Sequence, residues 1–187
     1  MSVQVSYKKQ FVLGIILLII FAITVEGIIR IYEYSLPPCE WLDYDAFEDH
    51  QNTEQICIDA KKLEYEYFDT HKRVEPNQHF DTINVNNFGF RGPEITKIKS
   101  EEVYRIFIVG GSTAFGLGST DEATISSFLQ KKFDMLSLEQ RIEVINAGVG
   151  GSFSYEKNNL IKEYLLQFEP DLIIGYDGGN DARYRII

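Results

Sequence analysis

An α/β fold built on a parallel sheet, preceded by one membrane-length helix, is the architecture this sequence predicts. Three observations carry that reading. Residues 11–25 run without a charge and are almost wholly apolar. From Arg105 onward, short apolar runs alternate with stretches of helical periodicity. Each of the three strand-like runs leads into a polar, glycine-bearing turn.

Composition bounds the alternatives. A chain of 187 residues with 44% hydrophobic content can pack a core, which excludes global disorder. The balance of 28 Asp and Glu against 18 Lys and Arg, a net charge of −10, argues against a nucleic-acid partner. Two cysteines exclude a disulfide-dense mini-protein.

The apolar run starts at Phe11. Glu26 interrupts it, and Gly27-Ile28-Ile29 carries it to Arg30. A helix needs about 20 apolar residues to cross the hydrocarbon core, a length reached here if Glu26 sits at headgroup level. The run is apolar on every face, unlike a core helix packed on one side. It lacks an Ala-x-Ala cleavage site, which favours an uncleaved anchor over a signal peptide. Residues 1–10 are therefore expected to be a cytoplasmic tail and residues 11–31 a single-pass anchor in the lipid bilayer. Lys8 and Lys9 place the N-terminus in the cytoplasm and the bulk of the chain outside it. Residues 1–31 carry a net +2, so the remainder carries −12. An anionic lipid surface repels such a domain, which is expected to stand away from it.

Residues 32–83 read as an extracytoplasmic stalk or cap. Leu36-Pro37-Pro38 stops the helix. Cys39 and Cys57 follow. In an oxidising compartment they pair as a disulfide; otherwise they are two buried thiols. Lys62–Phe68 alternates charge and bulk, as a strand does.

Residues 84–187 hold the regular pattern. Arg105–Val109 reads as a central strand. A helix begins near Asp121, with Ile125, Phe128, Leu129 and Phe133 as its buried stripe. Ile142–Ile145 is the second strand, and Tyr155–Phe168 a second helix with Leu160, Ile161, Tyr164, Leu165 and Phe168 on one stripe. Pro170 stops it, and Asp171–Tyr176 is the third strand. Strand–helix–strand–helix–strand of this spacing means a parallel sheet. Ligands bind at the carboxyl ends of such strands.

Each of the three turns there carries a chemistry. Gly110-Gly111-Ser112-Thr113 holds a serine hydroxyl at the mouth of the sheet, beside a helix start. Gly111 and Gly116 have Walker spacing, but Leu117-Gly118 replaces Lys-Ser/Thr, and no Gly-x-Gly-x-x-Gly is present. A nucleotide site is thus the weaker reading. Asn146-Ala147-Gly148-Val149-Gly150-Gly151-Ser152 keeps its backbone bare, so an N–H can donate to a developing oxyanion. Asp177-Gly178-Gly179-Asn180-Asp181 presents an uncharged amide donor.

Taken together, these turns resemble the SGNH/GDSL hydrolase superfamily. Gly110-Gly111-Ser112 is similar to the nucleophile block, spelled Gly-Gly-Ser. Asn146–Gly151 resembles the second block, and Gly178-Gly179-Asn180-Asp181 the third, Gly-x-Asn-Asp. Asn87-Phe88-Gly89-Phe90-Arg91-Gly92-Pro93 resembles a segment found upstream in membrane-anchored members. The resemblance covers residues 84–183. It implies a flavodoxin-like three-layer α/β/α fold and hydrolysis of an acyl ester, whether of a small molecule, a lipid or an acylated glycan. Ser112 would be the nucleophile, and its N–H, the Gly151 N–H and Asn180 the oxyanion donors. It calls for no cofactor and no metal.

One part of the family pattern is missing. The family's base is a histidine in an Asp-x-x-His block downstream of the Asn, whereas His50, His71 and His79 all precede Ser112, and the sequence given stops seven residues after Asn180. The expectation is the N-terminal part of an SGNH domain, incomplete at its C-terminus and cut from a longer chain. Tyr184-Arg185-Ile186-Ile187 does not read as a domain end. The other readings are a short inactive product, or His79 as an upstream base. The function expected is a membrane-anchored extracytoplasmic serine esterase or acyl hydrolase. The alternatives are an O-acyltransferase or deacetylase acting on surface glycans, and a non-catalytic surface binding protein on a remnant fold.

Overall fold

The computed structural model describes residues 6–35, 39 and 52–184. His50, the Leu36–Pro38 break, most of the 36–51 stretch and the last three residues lie outside the described residues. The chain divides into two compact units, residues 1–41 and 42–187.

The first unit is one helix, α1 (Tyr7–Ser35). Its 29 residues rise about 44 Å at 1.5 Å each, enough to cross a bilayer by length and composition. Thr24 turns its hydroxyl back to the Ile20 carbonyl, 2.8 Å away. Glu26 pairs with Arg30 one turn on, 2.9 Å apart, so the one acid in the run has a counter-charge within the helix.

The second unit is mixed α/β. It opens with α2 (Thr53–Lys62), then two antiparallel hairpins: β1 (Tyr65–Tyr67) with β2 (Lys72–Val74), and β3 (Gln78–His79) with β4 (Asn84–Val85). The alternating stretch from Lys62 forms a strand only at Tyr65–Tyr67, because α2 runs through Lys62 with both its lysines in the last turn. Cys39 and Cys57, the chain's two cysteines, are joined by a disulfide.

The three-stranded parallel sheet has β5 (Val103–Gly110) at its centre, between β6 (Arg141–Gly148) and β7 (Leu172–Tyr176). Gly110 stands in register with both Gly148 and Tyr176. All three strands thus end at one level, and the three turns leave the sheet side by side. One sheet face carries Phe107, Val109, Ile145 and Ala147. Phe90, Leu160, Leu165 and Phe168 pack on it, with edge-on aromatic contacts of Phe90 to Phe107 and Phe168 at 5.3 and 5.1 Å. Ile106 and Ile108, on the other face, are also buried. Arg105, buried, locks the far end of β5. Its guanidinium reaches Glu143 at 2.6 Å, the Phe168 carbonyl at 2.8 Å and the Thr96 carbonyl at 2.9 Å.

Two helices depart from the pattern read in the sequence. α4 (Ile125–Asp134), capped by the Thr124 hydroxyl through the Ser127 N–H, buries only part of its expected stripe. Leu129 and Phe133 are half-buried, whereas Ile125 and Phe128 are exposed and Ser126 is buried. Gln130 shares the inner side: its amide donates to the Ile142 carbonyl (3.0 Å) and accepts from the Val144 N–H (2.7 Å). A polar side chain facing a strand edge satisfies backbone groups that an apolar stripe would leave bare. The helix expected over Tyr155–Phe168 is α5 (Ser154–Glu163) followed by a separate 3₁₀ turn, Leu165–Phe168. The break falls at Tyr164, whose ring lies 4.3 Å from the Arg73 guanidinium and whose hydroxyl donates to the Phe88 carbonyl at 2.9 Å.

Candidate active site

The Ser112 turn is built from its anchors. β5 ends at Gly110, and α3 (Ser112–Phe115) is a single helical turn. The Phe115 N–H returns to the Gly111 carbonyl at 3.0 Å, and the Gly116 N–H to the Ser112 carbonyl at 2.9 Å. Ala114 and Phe115 are wholly buried. Phe115 joins Leu63, Val74, Ile83 and Val85 in a second core cluster, so residues from the 52–83 segment support the turn that carries the serine. Ser112 itself is half-buried, at the open end.

The far end of α3 is held by charge-assisted bonds. The Arg91 guanidinium, buried, donates to the carbonyls of Phe115 (3.1 Å), Gly116 (2.6 Å), Ser119 (2.7 Å) and Thr82 (3.3 Å), and pairs with Asp121 at 2.8 Å. Burial pulls its pKa down while Asp121 works against that shift. Asn146, also buried, donates to the Phe115 carbonyl at 3.1 Å and accepts from the Gly148 N–H at 3.0 Å. Neither Arg91 nor Asn146 was singled out in the sequence as a support of the serine. Their signal lay in the motif segments that contain them.

The β6 turn lies against β5. The Val149 N–H donates to the Gly110 carbonyl at 2.9 Å, and the Ser152 hydroxyl to the Val149 carbonyl at 2.9 Å. Gly151 adopts φ +69°, which favours glycine. It is exposed and faces the β1–β2 hairpin: a Cβ there would lie 3.3 Å from Lys72 Nζ.

The β7 turn brings Asn180 in. It sits on α6 (Gly179–Tyr184), and its Nδ2 donates to the Ser152 carbonyl at 2.8 Å. That uses one of two amide protons. The same nitrogen passes over Gly111, where a Cβ would stand only 3.0 Å from it. Ser112 and Asn180 thus line one cleft of about 330 Å³, with Gly111, Thr113, Tyr176, Asp177 and Gly179. Gly151 is not among its lining residues.

Among the described residues, Asp177 is the one carboxylate in that lining. Burial raises its pKa, but hydrogen bonds from Lys157, the Ser154 hydroxyl and the Gly178 N–H, with the Lys157 charge, outweigh this and hold it below the usual carboxylate range. It is a poor proton acceptor near neutral pH. His71 is buried elsewhere, stacked on Phe68 with Nδ1 3.4 Å from Glu163. His79 is exposed and meets Asn84 at 3.2 Å. Neither lines the cleft. A larger groove of about 840 Å³ runs beside β6 and α4, lined by Gln130, Lys131 and Arg141 among others. It holds neither Ser112 nor Asn180.

What this arrangement offers is a serine hydroxyl at the start of a helical turn, where the first N–H groups have no intrahelical acceptor, beside an amide with a proton to spare. No family model matches the chain, and no curated protein matches it.

Proposed function

We propose that this chain carries the nucleophile and oxyanion part of a membrane-anchored serine esterase or acyl hydrolase of SGNH type. The observation that supports it most is the meeting of Ser112 and Asn180 on one cleft at the carboxyl ends of adjacent parallel strands. Ser112 Oγ gives its proton to a base and attacks the acyl carbonyl, whose oxygen becomes an oxyanion. The Ser112 N–H and the second Asn180 amide proton stabilise it; on its collapse the C–O bond breaks and the alcohol leaves with that proton. Water then clears the acyl-enzyme. Gly151 is the third donor that the resemblance assigns. The reading carries with it the flavodoxin-like three-layer fold of that superfamily. It also places α1 across the bilayer with its N-terminus in the cytoplasm and the disulfide on the oxidising side.

Serine needs a base, and no histidine follows Ser112 in these 187 residues. The test therefore supplies one. The full chain in lipid nanodiscs is exposed to a fluorophosphonate probe with and without added imidazole. Labelling that imidazole stimulates and Ser112→Ala abolishes is the expected result. No Ser112-dependent labelling under either condition overturns the esterase reading. The cleft, with its serine hydroxyl and amide donor, would then be read as a binding site in a non-catalytic protein that takes an acyl-bearing ligand.

A further inference from the structure

Lys157 is a lysine buried in the α/β unit, and no step of the proposed chemistry uses it. It lies on α5, outside the cleft lining, with its side chain 4% exposed. Lysine is almost never buried this far without a partner. Its ammonium has two, one in each of two site turns. It donates to the Ser152 carbonyl at 3.3 Å, in the β6 turn, and it pairs with Asp177, which opens the β7 turn.

The same carbonyl accepts the Asn180 amide at 2.8 Å. Two donors from different elements therefore converge on one oxygen, and the ammonium also grips the residue three positions before Asn180. Asp177 has two further donors, the Ser154 hydroxyl at the start of α5 (2.8 Å) and the Gly178 N–H in its own turn (2.6 Å). We propose that Lys157 is a positioning residue: it fixes the Asn180 amide against the Ser112 turn by holding Ser152 and Asp177 together.

Its charge has a second consequence. Asp177 lines the cleft, and an unpaired carboxylate there opposes any negative charge growing on a substrate oxygen. The ammonium cancels it from below. The catalytic meaning of this role rests on the esterase reading; the positioning itself does not.

The experiment follows the Asn180 side-chain amide by ¹H–¹⁵N NMR in the full chain, ¹⁵N-labelled at asparagine, in nanodiscs. The resonance pair is assigned by its loss in Asn180→Asp. Lys157→Met and Asp177→Asn are compared with wild type, and thermal melting reports the fold separately. The expected result is a displaced Asn180 pair in both variants, with solvent exchange faster by about tenfold, as for the loss of one hydrogen bond. A folded variant whose Asn180 pair stays in place overturns the inference. Should Lys157→Met not fold, Asp177→Asn decides, because its side chain is 30% exposed and its loss leaves the core intact. Failure of the esterase reading appears elsewhere, as absent Ser112 labelling in wild type.

Discussion

The two flanks of β5 hold the Ser112 turn in opposite ways. On the β6 side buried residues hold the turn: Arg91, Asn146 and Phe115 close its far end through carbonyl contacts and core packing. On the β7 side the residues that line the cleft are themselves more exposed, and polar bonds to buried groups hold them. Asn180 rests on one carbonyl, and Asp177 on a lysine that reaches out from beneath. The serine is placed by core structure, whereas its partner amide is placed by a few polar bonds at the rim. Substitutions on the first flank should appear as lost stability, and those on the second as lost chemistry on a protein that still folds.

The largest effects belong to the buried flank. Arg91→Met removes a charged donor from four carbonyls and the ion partner of Asp121, and is expected to lower stability by about 3–5 kcal/mol. Phe115→Ala empties the cluster formed with Leu63, Val74, Ile83 and Val85, at about 3–5 kcal/mol. Denaturant unfolding measures both. If either variant instead kept its stability and lost only reactivity, the two flanks would not differ as described.

On the β7 flank, Asn180→Ala is expected to slow Ser112 labelling by about 100-fold or more, with a melting temperature close to that of wild type. A large fall in melting temperature would make Asn180 a structural residue and erase the contrast.

Acid sharpens the comparison, because each part of the unit has a depressed carboxylate. Burial raises the Asp59 pKa, but hydrogen bonds from Thr82 and Gln55 and the charge of Lys62 bring it below the ordinary value. Burial likewise raises Asp171, and Lys99 and the Arg105 N–H lower it further than burial lifts it. A depressed folded pKa adds stability that is complete above the unfolded value of about 3.9 and is lost as pH falls through the folded values. Melting temperature should therefore hold steady from pH 7 to 5 and drop below about pH 4. Asp59→Asn should flatten that drop.

The smallest effect is Gln130→Ala. It frees the Ile142 carbonyl and the Val144 N–H at a strand edge, for about 1 kcal/mol, read by chemical unfolding.

Much of the sheet was legible because continuous apolar runs such as Arg105–Val109 have few alternatives to a central strand, and Pro170 marks a boundary. The turns were legible because Gly-Gly-Ser and Gly-Gly-Asn-Asp stand right after such runs. What the sequence hid were contacts between distant segments. Nothing local in Phe128 shows that it stays exposed while a glutamine two residues on bonds the strand edge. Nothing in Lys157, in a helix rich in polar residues, shows that its ammonium is buried beneath a turn twenty residues away. Arg91 was visible only as a letter in a motif, because its acceptors are main-chain carbonyls that any residue could provide.

Gln130 also guards one edge of the sheet. It stops the outer edge of β6 at Ile142 and Val144, and the Arg91 N–H, donating to the Asn146 carbonyl at 3.1 Å, stops it further along. The backbone groups at Ile142, Val144 and Asn146 are thus spent within the chain, and a strand added on this side would first have to break those bonds.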